Sequence, residues 1–344
     1  MSAANLGEKG EGLRPIRIAR RLPRLAPTTS ALTPHPTVLR FTPFTKDGGP
    51  LPMGEGVVTA RRKLTRNLFC ALALLLLFAA PATAETLRPI PVNVIDGTDD
   101  RGSLTVLGPE LGLSGSEIAR IRKVSGYVGC LSPSPSLGSG ALYLDNRQIL
   151  TAGHIFFEPS GNRRSRCFFK NQDSAPVMID LFVDGDNARF GAVPPKPGSN
   201  NDFAVVRLAA PLPGGAPFPV ATDVPVKTGD GLIVVTSHPA GMAQEVDKAI
   251  PVVQACKVRR VPKSTAKTSF YRSDCDATGS SSGGMNLARV GGELVYRGIT
   301  ITTGPWRDQK FFGAPYDEKG GSVTTALGVD AAVLEAGRSL AKGF

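Results

Sequence analysis

Along the central part of the chain, apolar positions come in short runs with polar punctuation between them. The clearest are Ala141-Leu142-Tyr143-Leu144, Val177 to Val183, Phe203 to Leu208, Leu232 to Thr236 and Leu294 to Thr302. Clusters of Gly, Pro, Asn and Asp separate them. Short runs bounded by turn formers predict strands, and their spacing from about residue 118 onward is that of an all-β barrel protein. Two turn clusters lie close together, Pro194 to Asn201 and Ala210 to Pro219, and the second is a natural linker between barrels. One segment follows a different period. Val329, Ala332, Val333, Ala336 and Leu340 recur at helical spacing, which predicts a C-terminal helix over 329–341. No internal repeat is present.

The N-terminal quarter has another texture. Arg61-Arg62-Lys63 and Arg66 precede an apolar run from Leu68 to Ala80, and Pro81-Ala82-Thr83-Ala84 follows. A basic flank, a short apolar stretch and an A-x-A site describe a secretory signal peptide cleaved after Ala84. The run of 13 residues falls short of the roughly 20 that a spanning helix needs, so no stable membrane span is expected after cleavage. Residues 1–52 are rich in Pro and Arg and read as a leader, either a disordered extension or a sequence upstream of the true start. Met53 opens the signal peptide, and the start is left between Met1 and Met53. Residues 85–117 carry Pro89, Pro91, Asp99-Asp100-Arg101 and several glycines, and read as a propeptide or a strap across the domain.

The leader also accounts for most of the charge. The chain holds 40 basic and 29 acidic residues, but 12 and 4 of these lie in residues 1–84, which leaves 28 and 25 in the remainder. A net of only +3 gives no reason to expect a nucleic-acid partner. Cys70 lies in the signal peptide. Cys130, Cys167, Cys256 and Cys275 remain, an even number suited to an oxidising compartment, secreted or periplasmic. Four cysteines allow three connectivities. Sequential pairing, Cys130–Cys167 and Cys256–Cys275, is expected because each pair then brackets a segment of chemical interest. There is no C-x-x-C pair or Cys/His cluster, which argues against a zinc site.

Those segments are three. Leu150-Thr151-Ala152-Gly153-His154 comes first, then Asn201-Asp202-Phe203-Ala204, then Cys275-Asp276 through Gly279-Ser280-Ser281-Ser282-Gly283-Gly284. His154 and Asp202 are 48 residues apart, and Asp202 and Ser282 are 80 apart. The chain has only three histidines. His35 falls in the leader, and His238 follows the apolar run at 232–236 at a Pro-Gly turn, where a structural role fits better. A serine hydroxyl needs a base within hydrogen-bond reach, and imidazole titrates near neutrality. His, Asp and Ser in this order form the chymotrypsin-type catalytic triad. Gly279 to Gly283 also reads G-x-S-x-G, but a nucleophile elbow requires its histidine after the serine, and no histidine follows His238. The subtilisin-like order, acid before histidine, has no matching segments.

With all three motifs in place, residues 97–342 resemble the secreted bacterial branch of the trypsin-like serine peptidases. The resemblance implies an all-β fold of two perpendicular six-stranded antiparallel barrels with the active site between them. On the periodicities above, barrel 1 covers about 118–212, barrel 2 about 218–328, and the peptidase domain 118–342. It implies His154 as base, Asp202 as its orienting partner and Ser282 as nucleophile, with the amides of Ser280 and Ser282 as the oxyanion hole. No cofactor is implied, and the partner is a protein or peptide substrate; the oligomeric state is left open.

Three departures matter. The family has Gly where Ser280 stands, so an oxyanion donor could be misplaced. Ser281 is an alternative nucleophile, since Gly279 lies two before it. Ser281 also replaces the Asp with which the animal enzymes bind a new N-terminus, so activation by that ion pair is not expected. Asp276, six residues before Ser282, matches the carboxylate at the base of the pocket in members that cleave after Arg or Lys. Thr300 belongs to the strand expected to line that pocket, and it stands where glutamate-specific relatives carry His. The two function readings are a secreted endopeptidase, with cleavage after Arg or Lys as one option, and a catalytically impaired binding module.

Overall fold

In the computed structural model these apolar runs supply strands of two large sheets, and residues 180–183 of the run from Val177 lie outside the described residues. Residues 92–179, 187–237, 250–263, 269–304 and 313–341 are described, all within one unit, 83–344. The expected leader and signal peptide, residues 85–91, His35, Cys70 and His238 lie outside them.

The described chain opens with two short strands, β1 (Val92–Asn93) and β2 (Gly102–Ser103), followed by helices α1 (Leu104–Glu110) and α2 (Gly115–Val124). The β texture expected from about residue 118 therefore begins only after α2. That helix has a physical start signal. Ser114 Oγ accepts the Glu117 amide, and the Glu117 carboxylate accepts the Ser114 amide in return, forming a capping box. Ile121 and Val124 bury the inner face of α2, and Gly108 lets α1 approach the Ile118 side chain.

The first sheet is built from β3 (Ser125–Ser132), β4 (Ser136–Leu142), β5 (Gln148–Thr151), β6 (Ser165–Asn171), β7 (Val177–Met178), β8 (Ala188–Phe190) and β9 (Ala204–Arg207). Its order is β7-β6-β3-β4-β5-β9-β8, antiparallel throughout. Cys130 pairs directly with Cys167 across β3 and β6, and the two are joined by a disulfide.

The second sheet comprises β10 (Gly231–Ser237), β11 (Pro251–Arg260), β12 (Phe270–Ser273), then, after the two-residue strand β13 (Ala277–Thr278), β14 (Met285–Val290), β15 (Glu293–Thr303) and β16 (Thr324–Gly328). Six strands close on themselves because β10 pairs with both β11 and β14, and β2 is added to the outside edge of β11. Cys256 is joined to Cys275.

The all-β, two-sheet architecture is thus as expected, with one difference. The second sheet is a closed six-stranded barrel, whereas the first is a curled seven-stranded sheet whose margins meet, among the described residues, at the bridge between Ile179 and Leu208. A helix, α3 (Ala331–Ala341), ends the described chain and packs on β8 and β9. Asp330 caps it by accepting the Ala332 and Val333 amides, and Val333 and Leu340 are fully buried. The aliphatic core runs continuously through both sheets, from Val128 and Leu150 to Met285 and Ile299. No helix of the described residues is long and apolar enough to cross a membrane.

Candidate active site

The register of β5 against β9 decides where the histidine and the aspartate go. Leu150 pairs with Val205 and Thr151 with Ala204. The chain leaving β5 and the chain entering β9 therefore meet at one end of the sheet, and His154 and Asp202 lie just beyond it. His154 stands on a single 3₁₀ turn, Gly153–Phe156, anchored by the buried side chains of Ile155 and Phe156.

Asp202 is fully buried. Its Oδ1 accepts the His154 amide at 2.9 Å, and its Oδ2 accepts the Gly198 amide at 2.8 Å. The same Oδ2 lies 2.8 Å from His154 Nδ1. An ionised carboxylate can only accept, which assigns the proton to Nδ1 and leaves Nε2 as an acceptor. Nε2 lies 3.0 Å from Ser282 Oγ. The structure thus brings His154, Asp202 and Ser282 together with the base-to-hydroxyl distance that general-base chemistry needs.

Ser281 is elsewhere. Its Oγ accepts the Thr278 amide at 2.9 Å and its own amide donates to the Thr278 carbonyl at 3.0 Å, closing a tight turn within the loop. Gly283 follows at φ +83°, and a Cβ there would lie 2.0 Å from the Ser139 carbonyl oxygen and 2.2 Å from Thr151 Oγ1. Only glycine fits. Ser280 does not adopt the left-handed conformation that a glycine there would permit. Asp96, Leu144 and Arg166 are the non-glycine residues at positive φ among those described, and Ser280 is not one of them. Among the described residues the amides of Ser280 and Ser282 donate to no protein acceptor.

The loop is held from the first sheet by residues that sequence reasoning missed. The Ser139 amide donates to the Ser282 carbonyl at 2.7 Å, and Thr151 Oγ1 donates to the Ser139 carbonyl at 2.6 Å. One connected path therefore runs from the end of β5, next to His154, to Ser282. No local sequence pattern signals it, because the partners are 12 to 143 residues apart.

Asp276 takes a different place from the one its motif position suggests. It is 3% exposed and does not line the cleft. Its Oδ1 accepts the Ile95 amide and its Oδ2 the Asp100 amide, both at 2.8 Å. Gln254 fixes its backbone, accepting the Asp276 amide at 2.8 Å and donating to its carbonyl at 2.6 Å. Burial pushes its carboxyl up to about 6; the two amides pull it down, and the neighbouring Asp99 and Asp100 push it further up.

A cavity of about 170 Å³ opens beside Ser282, walled by Thr278, Gly279, Ser281, Thr300, Thr302 and Thr303 among others. Thr300 is in its wall, with Oγ1 donating to Asn286 Oδ1 at 3.2 Å. No carboxylate is among its described lining residues. On the other side of His154 lies a larger cavity of about 470 Å³, bounded by Phe157, Glu158, Arg164 and Pro194 to Pro197. Among the described residues no group of three or more His, Cys, Asp or Glu could hold a metal ion.

Residues 138–295, which include all three segments, match the family model of the trypsin-like peptidase domain. The chain carries a trypsin-like serine peptidase domain. This makes it a serine-type endopeptidase, a hydrolase. No curated protein matches the sequence. Similar solved structures include a Glu endopeptidase in complex with MPD, at 16% identity over 70% of this chain and 96% of that one, with a TM-score of 0.47. The serine endoprotease from Yersinia pestis is 15% identical over 66% of each chain, with a TM-score of 0.44. The protease Anisep from Arthrobacter nicotinovorans is 14% identical over 64% of this chain and 96% of its own, with a TM-score of 0.42.

Proposed function

We propose that this peptidase works through Ser282, His154 and Asp202. The observation that carries the reading is the unbroken pair of contacts at His154, 2.8 Å to Asp202 Oδ2 and 3.0 Å to Ser282 Oγ. His154 Nε2 takes the Ser282 proton as Oγ attacks the scissile carbonyl. Asp202 keeps the ring in the required tautomer and stabilises the imidazolium. The acyl-enzyme forms as His154 returns the proton to the leaving amine, and water then reverses the sequence. The amides of Ser280 and Ser282 receive the oxyanion, each donor worth roughly 3 kcal/mol in the transition state. Two amides that donate to no acceptor among the described residues favour a working enzyme over an impaired binding module.

The side chain preceding the cut enters the cavity bounded by Thr278, Thr300 and Thr302. With the Asp276 carboxylate bound to backbone amides, that cavity offers a cationic side chain no counter-charge. Hydroxyl-bearing walls and about 170 Å³ suit an uncharged residue of small or medium size. The two disulfides suit an oxidising compartment, which agrees with secretion or periplasmic export behind the 53–84 signal peptide.

Digestion of casein by the purified protein, with Ser282→Ala beside it, tests the reading. Fragments produced by the wild type alone, cut after uncharged residues, are expected. Cuts confined to Arg and Lys would refute the specificity, and equal digestion by both proteins would refute the nucleophile.

A further inference from the structure

The segment ahead of the two sheets reaches the nucleophile loop directly. β1 pairs with β13, Val92 opposite Thr278 and Asn93 opposite Ala277. Val94 and Ile95 are buried, the Asp96 amide donates to the Ala314 carbonyl at 2.9 Å, and β2 pairs with β11. Between these pairings, the Ile95 and Asp100 amides converge on the two oxygens of Asp276. Asp276 is followed in the chain by Ala277 and Thr278, Thr278 makes three hydrogen bonds with Ser281, and Ser282 follows.

We propose that residues 92–103 are a permanent prop of the nucleophile loop and that Asp276 is the positioning residue through which they act. The inference rests on the Ser282 reading above. A carboxylate this buried is tolerated only with donors on its oxygens. Without the segment, Asp276 would draw water or turn outward, and either movement drags Thr278 and the Ser281 turn with it. Internal amides supply here a stabilisation that needs no newly cut N-terminus. Residues 92–103 therefore remain in the working enzyme.

The test compares wild type, Asp276→Asn and Asp100→Pro. Asn offers an N–H to one of the two inbound amides, and Pro at position 100 deletes one amide on the exposed rim while leaving Asp276 intact. Labelling by a fluorophosphonate is measured per folded molecule, together with kcat and KM on a peptide substrate. The intact mass of the labelled wild type is also recorded. Positioning predicts labelling slowed about 10-fold in Asp276→Asn and less in Asp100→Pro, a lowered kcat with KM little changed, and a labelled species that retains residues 92–103. A purely structural contact would lower the unfolding midpoint and leave the rate per folded molecule unchanged, which overturns the inference. A labelled wild type that begins after Ser103 would overturn it too. A wild type that does not label fails at the triad, a distinct outcome that removes both readings.

Discussion

Ser139 and Ser280, 141 residues apart, are joined through one hydroxyl: Ser139 Oγ lies 3.0 Å from the Ser280 carbonyl oxygen. Its single proton is shared with the Ser237 carbonyl, also at 3.0 Å, while the Ser237 amide donates back to Oγ at 2.9 Å. Ser139 is 1% exposed, so no water replaces these bonds. The first sheet thus fixes the peptide planes of the loop on the second.

Ser139→Ala leaves a buried amide and two carbonyls short of a partner. It is expected to cost about 1–3 kcal/mol of stability and to slow acylation by about 10-fold through a displaced Ser280 amide. Urea unfolding and pre-steady-state kinetics read the two effects separately. An unchanged acylation rate would show that the bond is structural only.

Gly283→Ala is expected to be more damaging. The new methyl group would face backbone oxygen at 2.0 Å, on a residue at φ +83°. The loop must move by about an ångström, which costs on the order of 100-fold in rate. Measured kcat/KM near that of the wild type would contradict the loop geometry.

Asp276 gives a pH signature. In the unfolded chain its carboxyl titrates near 3.8; in the folded protein it is pushed up to about 6, chiefly by burial. Between those values the folded state holds a proton that the unfolded state has lost. Stability attributable to this group therefore falls as pH rises from about 4 to about 6, by an amount on the order of 3 kcal/mol. Asp276→Asn removes that slope. Urea midpoints for both proteins at pH 4, 5, 6 and 7 check this, and parallel curves would contradict it.

Much of this was legible in the sequence, for reasons that differ by element. Strands such as 232–236 and 294–302 announce themselves through apolar runs between turn formers, and the C-terminal helix through its period. The His, Asp and Ser segments are legible because local chemistry constrains each. Helices α1 and α2 were not read. Gly108, Pro109 and Gly112 punctuate that stretch like a loop, although Ser114 and Glu117 spell a capping box. The task of Asp276 was out of reach. Its donors, Ile95 and Asp100, are 181 and 176 residues away, and their backbone amides leave no trace in residue type.

The two disulfides are expected to differ in reactivity. Cys130 and Cys167 are each 1% exposed, whereas Cys256 is partly exposed. Mild reductant should open Cys256–Cys275 first, releasing the residue next to Asp276 and slowing labelling of Ser282. Mass mapping of alkylated cysteines follows the order, and prior loss of Cys130–Cys167 would contradict it.

The most direct test of the triad is mass spectrometry after fluorophosphonate treatment of the wild type, Ser281→Ala, Ser282→Ala and His154→Ala. The account predicts a single adduct on Ser282, retained in Ser281→Ala and absent from the other two variants. An adduct on Ser281, or none on a folded wild type with both disulfides formed, would contradict it.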